Sequence, residues 1–258
     1  MKQFVIYYLL IMFPVFAWCN DGDLFTAKSQ EGVMITYKII SEQEKTACVG
    51  DDNNPAIDVN TQGIVSIPQN ANGYKIVKIG RRAFMGCKYI SSVLFHDGIK
   101  NIDAHAFSEC SNLQIVNIPY GINKIENCVF KECDNLQSVV IPATVKDFGI
   151  CIFLSDHNLK SVTSYIINPS PLHPSVFSTF PYLDWDSNDI IVLDPELRNE
   201  ATLYVPKGCK EKYEQTQGWN IFHDIVEMEC FPYDLDGDGK LTLNDITMLI
   251  NIYLEKSE

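Results

Sequence analysis

The stretch Ile125-Glu-Asn-Cys-Val-Phe-Lys-Glu-Cys-Asp-Asn-Leu-Gln-Ser-Val-Val-Ile-Pro142 decides the fold of this chain, because its spacing of apolar residues returns every 23 residues. One column contains Phe84, Phe107, Phe130 and Phe153, and a second contains Val93, Val116, Val139 and Val162. Two more contain Ile79, Ile102, Ile125 and Phe148, and Ile90, Leu113, Leu136 and Leu159. Such a period indicates a solenoid, in which a coil buries its apolar edge only by stacking on the next coil.

The valine column is followed two residues later by another largely apolar column, which indicates one short strand in each coil. Its members are Phe95, Ile118, Ile141 and Ser164. The positions between them point outward, and they are Leu94, Asn117, Val140 and Thr163, with Ser92, Ile115, Ser138 and Ser161 beside them. This uncharged, partly apolar mixture suits a peptide or sugar, so the first four are the predicted ligand-binding residues. The alternative is an ordinary solvated sheet face.

The cysteines follow the same period. Cys87, Cys110 and Cys133 occupy one place in three consecutive coils, and Asp156 breaks the series. We expect these three to fill a dry core, where cysteine behaves as a small apolar residue. Cys128 and Cys151 form a second adjacent pair, in a column that otherwise holds Arg82 and His105. That pair is either two free thiols or a disulfide between neighbouring coils.

The repeats have the form Ile-x-x-x-x-Phe-x-x-Cys-x-x-Leu-x-x-Val-x-Ile-Pro, which resembles the BspA-like leucine-rich repeats of bacterial surface proteins. The resemblance extends over about residues 33–228. It implies an α/β repeat protein, a leucine-rich-repeat solenoid with 23-residue coils and short parallel strands. It also implies an exported protein that serves adhesion or ligand binding rather than catalysis. Matrix proteins and carbohydrates are the ligands that it suggests.

The ends of the solenoid depart from the repeat, as caps do. We assign residues 20–63 to an N-terminal cap, 64–165 to the repeats, and 166–228 to irregular last coils and a C-terminal cap. In this last part, Phe177 and Phe180 are predicted to continue the core. The segment Lys210–Gln215 is predicted to form a short helix, with Trp219 covering the last coil.

The first 19 residues have the pattern of an export signal. Lys2 precedes an apolar run that ends at Trp18, which is too short for a comfortable membrane span. We expect cleavage before Asn20 and a secreted or cell-surface protein. Acylation of Cys19 as a lipid anchor is the alternative.

The C-terminal segment 229–258 carries a candidate calcium site. Asp234, Asp236, Asp238 and Asp245 fall at positions 1, 3, 5 and 12 of an EF-hand-like loop, and Gly239 holds the sharp turn. Lys240 supplies a backbone carbonyl at position 7, and Thr242 supplies a hydroxyl or a bridging water at position 9. Ca²⁺ takes six to eight oxygen ligands, and this spacing wraps them around one point.

An amphipathic helix is predicted to follow this loop, with apolar residues at helical spacing from Leu243 to Tyr253. A calcium loop with only an exiting helix resembles the type I dockerin repeat, over about residues 234–254. The resemblance implies a cohesin-type partner. It gives the alternative function, a component of a polysaccharide-degrading assembly.

Charge and motifs exclude other classes of function. The net charge of −13 argues against nucleic-acid binding. The chain has no Gly-x-Ser-x-Gly elbow, no phosphate-binding glycine loop and no Cys-x-x-Cys. We therefore predict a protein that is not an enzyme.

Overall fold

A computed structural model describes residues 20–178 and 199–228 of the chain. In chain order the strands are β1 (Leu24–Lys28), β2 (Met34–Ser41), β3 (Thr46–Val49), β4 (Gly63–Ser66), β5 (Asn70–Ala71), β6 (Tyr74–Ile79), β7 (Ile90–Leu94), β8 (Asn101–Ile102), β9 (Ile115–Asn117), β10 (Lys124–Ile125), β11 (Ser138–Ile141), β12 (Asp147–Phe148), β13 (Ser161–Ser164), β14 (Asn199–Val205) and β15 (Phe222–Glu227). A single helix, α1 (Lys210–Gln215), occurs in these two ranges.

Seven parallel strands form the main sheet, in the order β15-β14-β13-β11-β9-β7-β4. Val139 of β11 pairs with Val116 on one side and with Val162 on the other, so neighbouring coils are offset by one repeat. All three valines are buried, because alternate side chains of a strand point to the same face. The predicted solenoid with short parallel strands is therefore confirmed.

The isoleucine column forms a second ladder of short strands. Ile79 of β6 pairs with Ile102 of β8, and Ile125 of β10 pairs with Phe148 of β12, both in parallel. Each central coil thus contains two short strands, one in the main sheet and one in this second ladder. The core lies between the two ladders.

The phenylalanine column forms the centre of that core. The rings of Phe84, Phe107, Phe130, Phe153 and Phe177 lie nearly parallel, with successive centroids 5.0, 5.4, 5.5 and 5.1 Å apart. All five rings are buried. Phe177 continues the stack although it follows Phe153 by 24 residues, so one residue is accommodated in the loop between them. Its predicted core role is confirmed, whereas Phe180 lies outside the described residues.

The expectation of an α/β repeat is wrong for the coils that the structure describes. The side opposite the main sheet is built from turns, and α1 lies beyond these coils. Two residues in each coil adopt the left-handed conformation: Arg82, His105, Cys128 and Cys151 in one column, and Gly86, Glu109, Glu132 and Ser155 in the other. The N–H of Phe107 donates to Val129 in the next coil at 2.8 Å. Backbone hydrogen bonds on this side thus run between neighbouring coils. The left-handed residues prevent the continuous bonding between residues i and i−4 that a helix needs.

Both ends of the stack are closed by atypical elements. At the N-terminal end, the antiparallel strands β1, β2 and β3 join the ladder through the parallel pairing of β3 with β6. At the C-terminal end, α1 spans the residues predicted to be helical, and Tyr213 and Trp219 are fully buried. The indole of Trp219 contacts Phe148 edge-on, with centroids 5.7 Å apart, so it closes the last coil as predicted.

Several sequence predictions concern parts of the chain outside these ranges. They are the predicted signal segment 1–19 with Cys19, residues 179–198 of the last coils and C-terminal cap, and the candidate calcium segment 229–258 with Asp234, Asp236, Asp238, Lys240, Thr242 and Asp245. Within residues 20–178 and 199–228, no helix has the length and apolar character needed to cross a membrane.

Candidate ligand-binding face

The outward surface of the main sheet is the candidate binding face. Two columns of side chains cross it: Ile64, Ser92, Ile115, Ser138, Ser161, Thr202 and Asp224 in one, and Ser66, Leu94, Asn117, Val140, Thr163, Tyr204 and Val226 in the other. The four predicted ligand residues, Leu94, Asn117, Val140 and Thr163, therefore lie in one column. Their role as ligand contacts stays a prediction.

Sequence reasoning missed both ends of this face. Tyr204 pairs with Thr163 across β13 and β14, although the two residues are 41 positions apart. The signal was present in Ala201-Thr-Leu-Tyr-Val-Pro206, which repeats the alternation of the earlier strands before a proline. At the other end, Ile64 of β4 pairs with Ser92 and extends the face to the N-terminal side.

The face is apolar toward its N-terminal end and more polar in the middle. Leu94 and Ile115 are each 51% exposed, and Ile64 is also exposed. In the middle, the hydroxyls of Ser138 and Ser161 lie 3.1 Å apart and form a hydrogen bond. Exposed apolar side chains grouped on one face, next to polar ones, are typical of interaction surfaces.

The two columns carry one charged side chain among the described residues, Asp224 in the last strand. A second acid flanks the first strand, where the Glu31 carboxylate accepts hydrogen bonds from the Ser66 N–H at 3.0 Å and from its hydroxyl at 2.5 Å. These bonds lower the pKa of Glu31 to about 2, because they favour the charged carboxylate. The central strands therefore present a neutral surface between two acids.

The column of core cysteines has the predicted structural role. All three thiols are free and buried. The Cys110 thiol donates to the carbonyl of Phe84 at 3.0 Å, and the Cys133 thiol donates to that of Phe107 at 3.2 Å. Burial raises the pKa of Cys110 and of Cys133 well above the ordinary thiol value. These thiols are therefore poor nucleophiles.

Asp156, which interrupts that cysteine column, is a buried acid. One carboxyl oxygen accepts the Cys133 N–H at 2.8 Å, and the other has no hydrogen-bond partner in the described part of the chain. Burial raises the pKa of this carboxyl well above its usual range. Cys110 and Cys133 of this column donate their thiol protons to main-chain carbonyls, whereas Asp156 accepts a hydrogen bond from a main-chain N–H.

The described residues contain no group of three or more histidine, cysteine or acidic side chains placed to hold a metal ion. The predicted calcium ligands lie outside those residues. Cys128 and Cys151 are both free and buried, so the structure shows this pair in its reduced form.

Comparison with known proteins identifies the repeat. Residues 64–180 match, in six copies, a family model described as BspA type Leucine rich repeat region. The matched residues lie within the longer range, about residues 33–228, over which the sequence resembles these repeats. A search of curated proteins found no match.

Similar solved structures are also leucine-rich repeat proteins. One from T. pallidum is 17% identical, over 84% of this chain and 92% of that chain, with a TM-score of 0.43. One from Bacteroides ovatus is 21% identical, over 82% of this chain and 54% of that chain, with a TM-score of 0.46. A leucine-rich cell surface protein from Faecalibacterium prausnitzii is 14% identical, over 70% of this chain and 64% of that chain, with a TM-score of 0.26. This chain thus spans about half of the B. ovatus protein.

Proposed function

We propose that this chain is an exported, non-catalytic binding or adhesion protein that holds a macromolecular ligand, a protein or a glycan, against the outward face of its main sheet. The observation that carries the proposal is the pair of outward columns, which are neutral in the central strands and apolar toward one end. Seven strands at a spacing of about 4.8 Å give a face roughly 29 Å long. That length suits an extended peptide or an oligosaccharide.

The charge distribution supports this class of ligand. Nucleic-acid binding requires a basic surface that neutralises phosphates, whereas this chain has a net charge of −13 and an acid at each end of the face. A neutral face binds through apolar contact and hydrogen bonds, which serve protein and sugar ligands. We expect the association rate to depend weakly on salt, because few charges are involved.

The test is a binding screen of the full chain against a glycan array and a panel of extracellular matrix proteins. Any ligand found is then measured against the double variant Leu94→Asp/Ile115→Asp, which places two charges in the apolar part of the face. We expect at least a tenfold loss of affinity, or about 1.4 kcal/mol.

Tyr120→Asp is the matched control, because Tyr120 is 55% exposed and lies outside the main sheet. It should leave the affinity unchanged. Equal affinity of the wild type and the double variant would contradict the proposed face.

The proposal includes a calcium site in the C-terminal segment. It is supported by the oxygen donors of Asp234, Asp236, Asp238 and Asp245, by the backbone carbonyl of Lys240, and by Thr242. Hard oxygen ligands at this spacing suit Ca²⁺. Asp234→Ala/Asp236→Ala should abolish tight Ca²⁺ binding in calorimetry and leave the melting temperature of the solenoid unchanged. Unchanged Ca²⁺ affinity would reject this set of ligands.

The second candidate function is attachment to a polysaccharide-degrading assembly through a cohesin-type partner. The resemblance of residues 234–254 to a dockerin repeat favours it. A pull-down with immobilised cohesin domains, with and without chelator, separates the two functions. Calcium-dependent capture supports docking to a cohesin. Absence of capture in both conditions favours the first function, in which the outward face of the main sheet binds the ligand.

Export itself is tested by the mature N-terminus. A secreted product that begins at Asn20 supports cleavage of the signal segment. Labelling of the chain by a fatty acid at Cys19 supports the lipid-anchored alternative.

A further inference from the structure

Cys128 and Cys151 occupy equivalent places in neighbouring coils with the same backbone conformation. Their φ angles are +56° and +55°, and the Cys128 N–H donates to the carbonyl of Ile150 at 2.9 Å. Because neighbouring coils are joined by backbone hydrogen bonds, the two Cα atoms are separated by about one strand spacing, roughly 4.8 Å. The equal backbone conformations direct the two side chains to the same side. A disulfide needs Cα atoms about 4.4–6.8 Å apart. The pair therefore meets the requirement on Cα separation, and small adjustments of the two side chains bring the sulfur atoms into bonding distance.

The two thiols lie in a small apolar cluster of their own. Cys128, Cys151 and Leu154 pack together apart from the main core, and Ile150 covers them. The Ser175 hydroxyl accepts the Cys151 N–H at 3.0 Å, which holds the backbone of this residue in place.

The other stacked cysteines provide a contrast within the same molecule. Cys110 and Cys133 are also one coil apart, but each thiol is directed at a main-chain carbonyl and is occupied there. The pKa of the Cys151 thiol is instead lowered, first by the neighbouring Cys128 thiol and then by the Ser175 hydroxyl and the Lys131 ammonium. The neighbouring Cys151 thiol and burial raise the pKa of Cys128, so Cys151 is the thiol of the pair that loses its proton first.

We propose that Cys128 and Cys151 are a redox-responsive pair that closes to a disulfide and covalently joins two neighbouring coils of the solenoid. The oxidant is a small disulfide such as oxidised glutathione. The Cys151 thiolate attacks one of its sulfur atoms, forms a mixed disulfide and releases one thiolate. Cys128 then loses its proton and attacks the Cys151 sulfur, which releases the second thiol and leaves the protein disulfide. Two protein thiols are oxidised and one small disulfide is reduced to two thiols.

The test uses the full chain, incubated first with a reductant and then with oxidised glutathione. Free thiols are blocked under denaturing conditions and the products are mapped by peptide mass spectrometry. We expect a linked peptide pair that contains Cys128 and Cys151, while Cys87, Cys110 and Cys133 remain blocked as free thiols. A map in which Cys128 and Cys151 stay free, or in which Cys110 and Cys133 link as readily, would overturn the proposal.

A stability measurement provides a second readout. Oxidation should shift the urea midpoint of the wild type upward, and it should not shift that of Cys151→Ser. Cys110→Ser is the matched control, because it removes a stacked thiol of the other column and should keep the upward shift. If Cys151→Ser fails to fold, Cys128→Ser replaces it in the same comparison. An equal shift in the wild type and in the variant that lacks the pair would refute the assignment.

Discussion

Removal of one ring from the phenylalanine stack tests whether the repeats are coils in register. Phe130 is 1% exposed, and its ring lies between those of Phe107 and Phe153 at 5.4 and 5.5 Å. Phe130→Ala leaves a cavity with rigid rings above and below it, and the neighbouring coils cannot close it without losing their strand register. A buried Phe→Ala substitution costs about 3–5 kcal/mol, and two lost ring contacts place this site toward the upper end.

That loss is a large part of the total stability of a domain, which is about 5–15 kcal/mol. Urea unfolding followed by circular dichroism should therefore show a much lower midpoint for Phe130→Ala. Tyr89→Ala is the matched control, because Tyr89 is 52% exposed and an exposed substitution changes stability by less than about 0.5 kcal/mol. If both variants unfold at the same urea concentration with the same slope, the register is wrong.

Three further outcomes are expected. Asp156→Asn should gain stability relative to wild type as pH rises from about 4 toward 7. Because the pKa of Asp156 is raised in the folded state, its contribution to the free energy of unfolding is complete below the pKa of the unfolded state and is lost as pH rises above it. A difference between the urea midpoints of the two proteins that does not change with pH would contradict this. Gly86→Ala should lower the free energy of unfolding by about 1 kcal/mol in the same assay, because φ is +72° there while the added methyl group meets open space. A gain in stability would show that left-handed backbone strain does not control the effect. Oxidation of Cys128 and Cys151 should add roughly 3 kcal/mol to the free energy of unfolding, because it closes a loop of about 24 residues, and an equal free energy in both redox states would count against the link.

The sequence was sufficient for the stacking and the inward columns. Large apolar residues at a strict spacing can be buried together only if consecutive coils lie in register, and Val116, Val139 and Val162 pair as that spacing requires. The same reasoning placed Asn117 and Val140 side by side on the outward face.

The turns on the opposite side could not be predicted in the same way. Left-handed backbone usually favours glycine or asparagine, but here it is adopted by residues such as Arg82, Cys128 and Glu132, which carry no signal for it. The spacing of Phe130 and Cys133 is three residues, which also fits a helix. The outcome is decided by hydrogen bonds to the next coil, and a single repeat does not reveal them.

The hydrogen bonds that the Glu31 carboxylate accepts from Ser66 of β4 have a consequence for solubility. A stack of parallel strands in register offers an unpaired rim to any identical molecule, and this is the arrangement from which cross-β fibrils grow. Glu31 occupies the Ser66 N–H and places a permanent negative charge on that rim at neutral pH. Glu31→Gln would keep the hydrogen-bond acceptor and remove this negative charge, so we expect the variant to associate end to end more readily than the wild type.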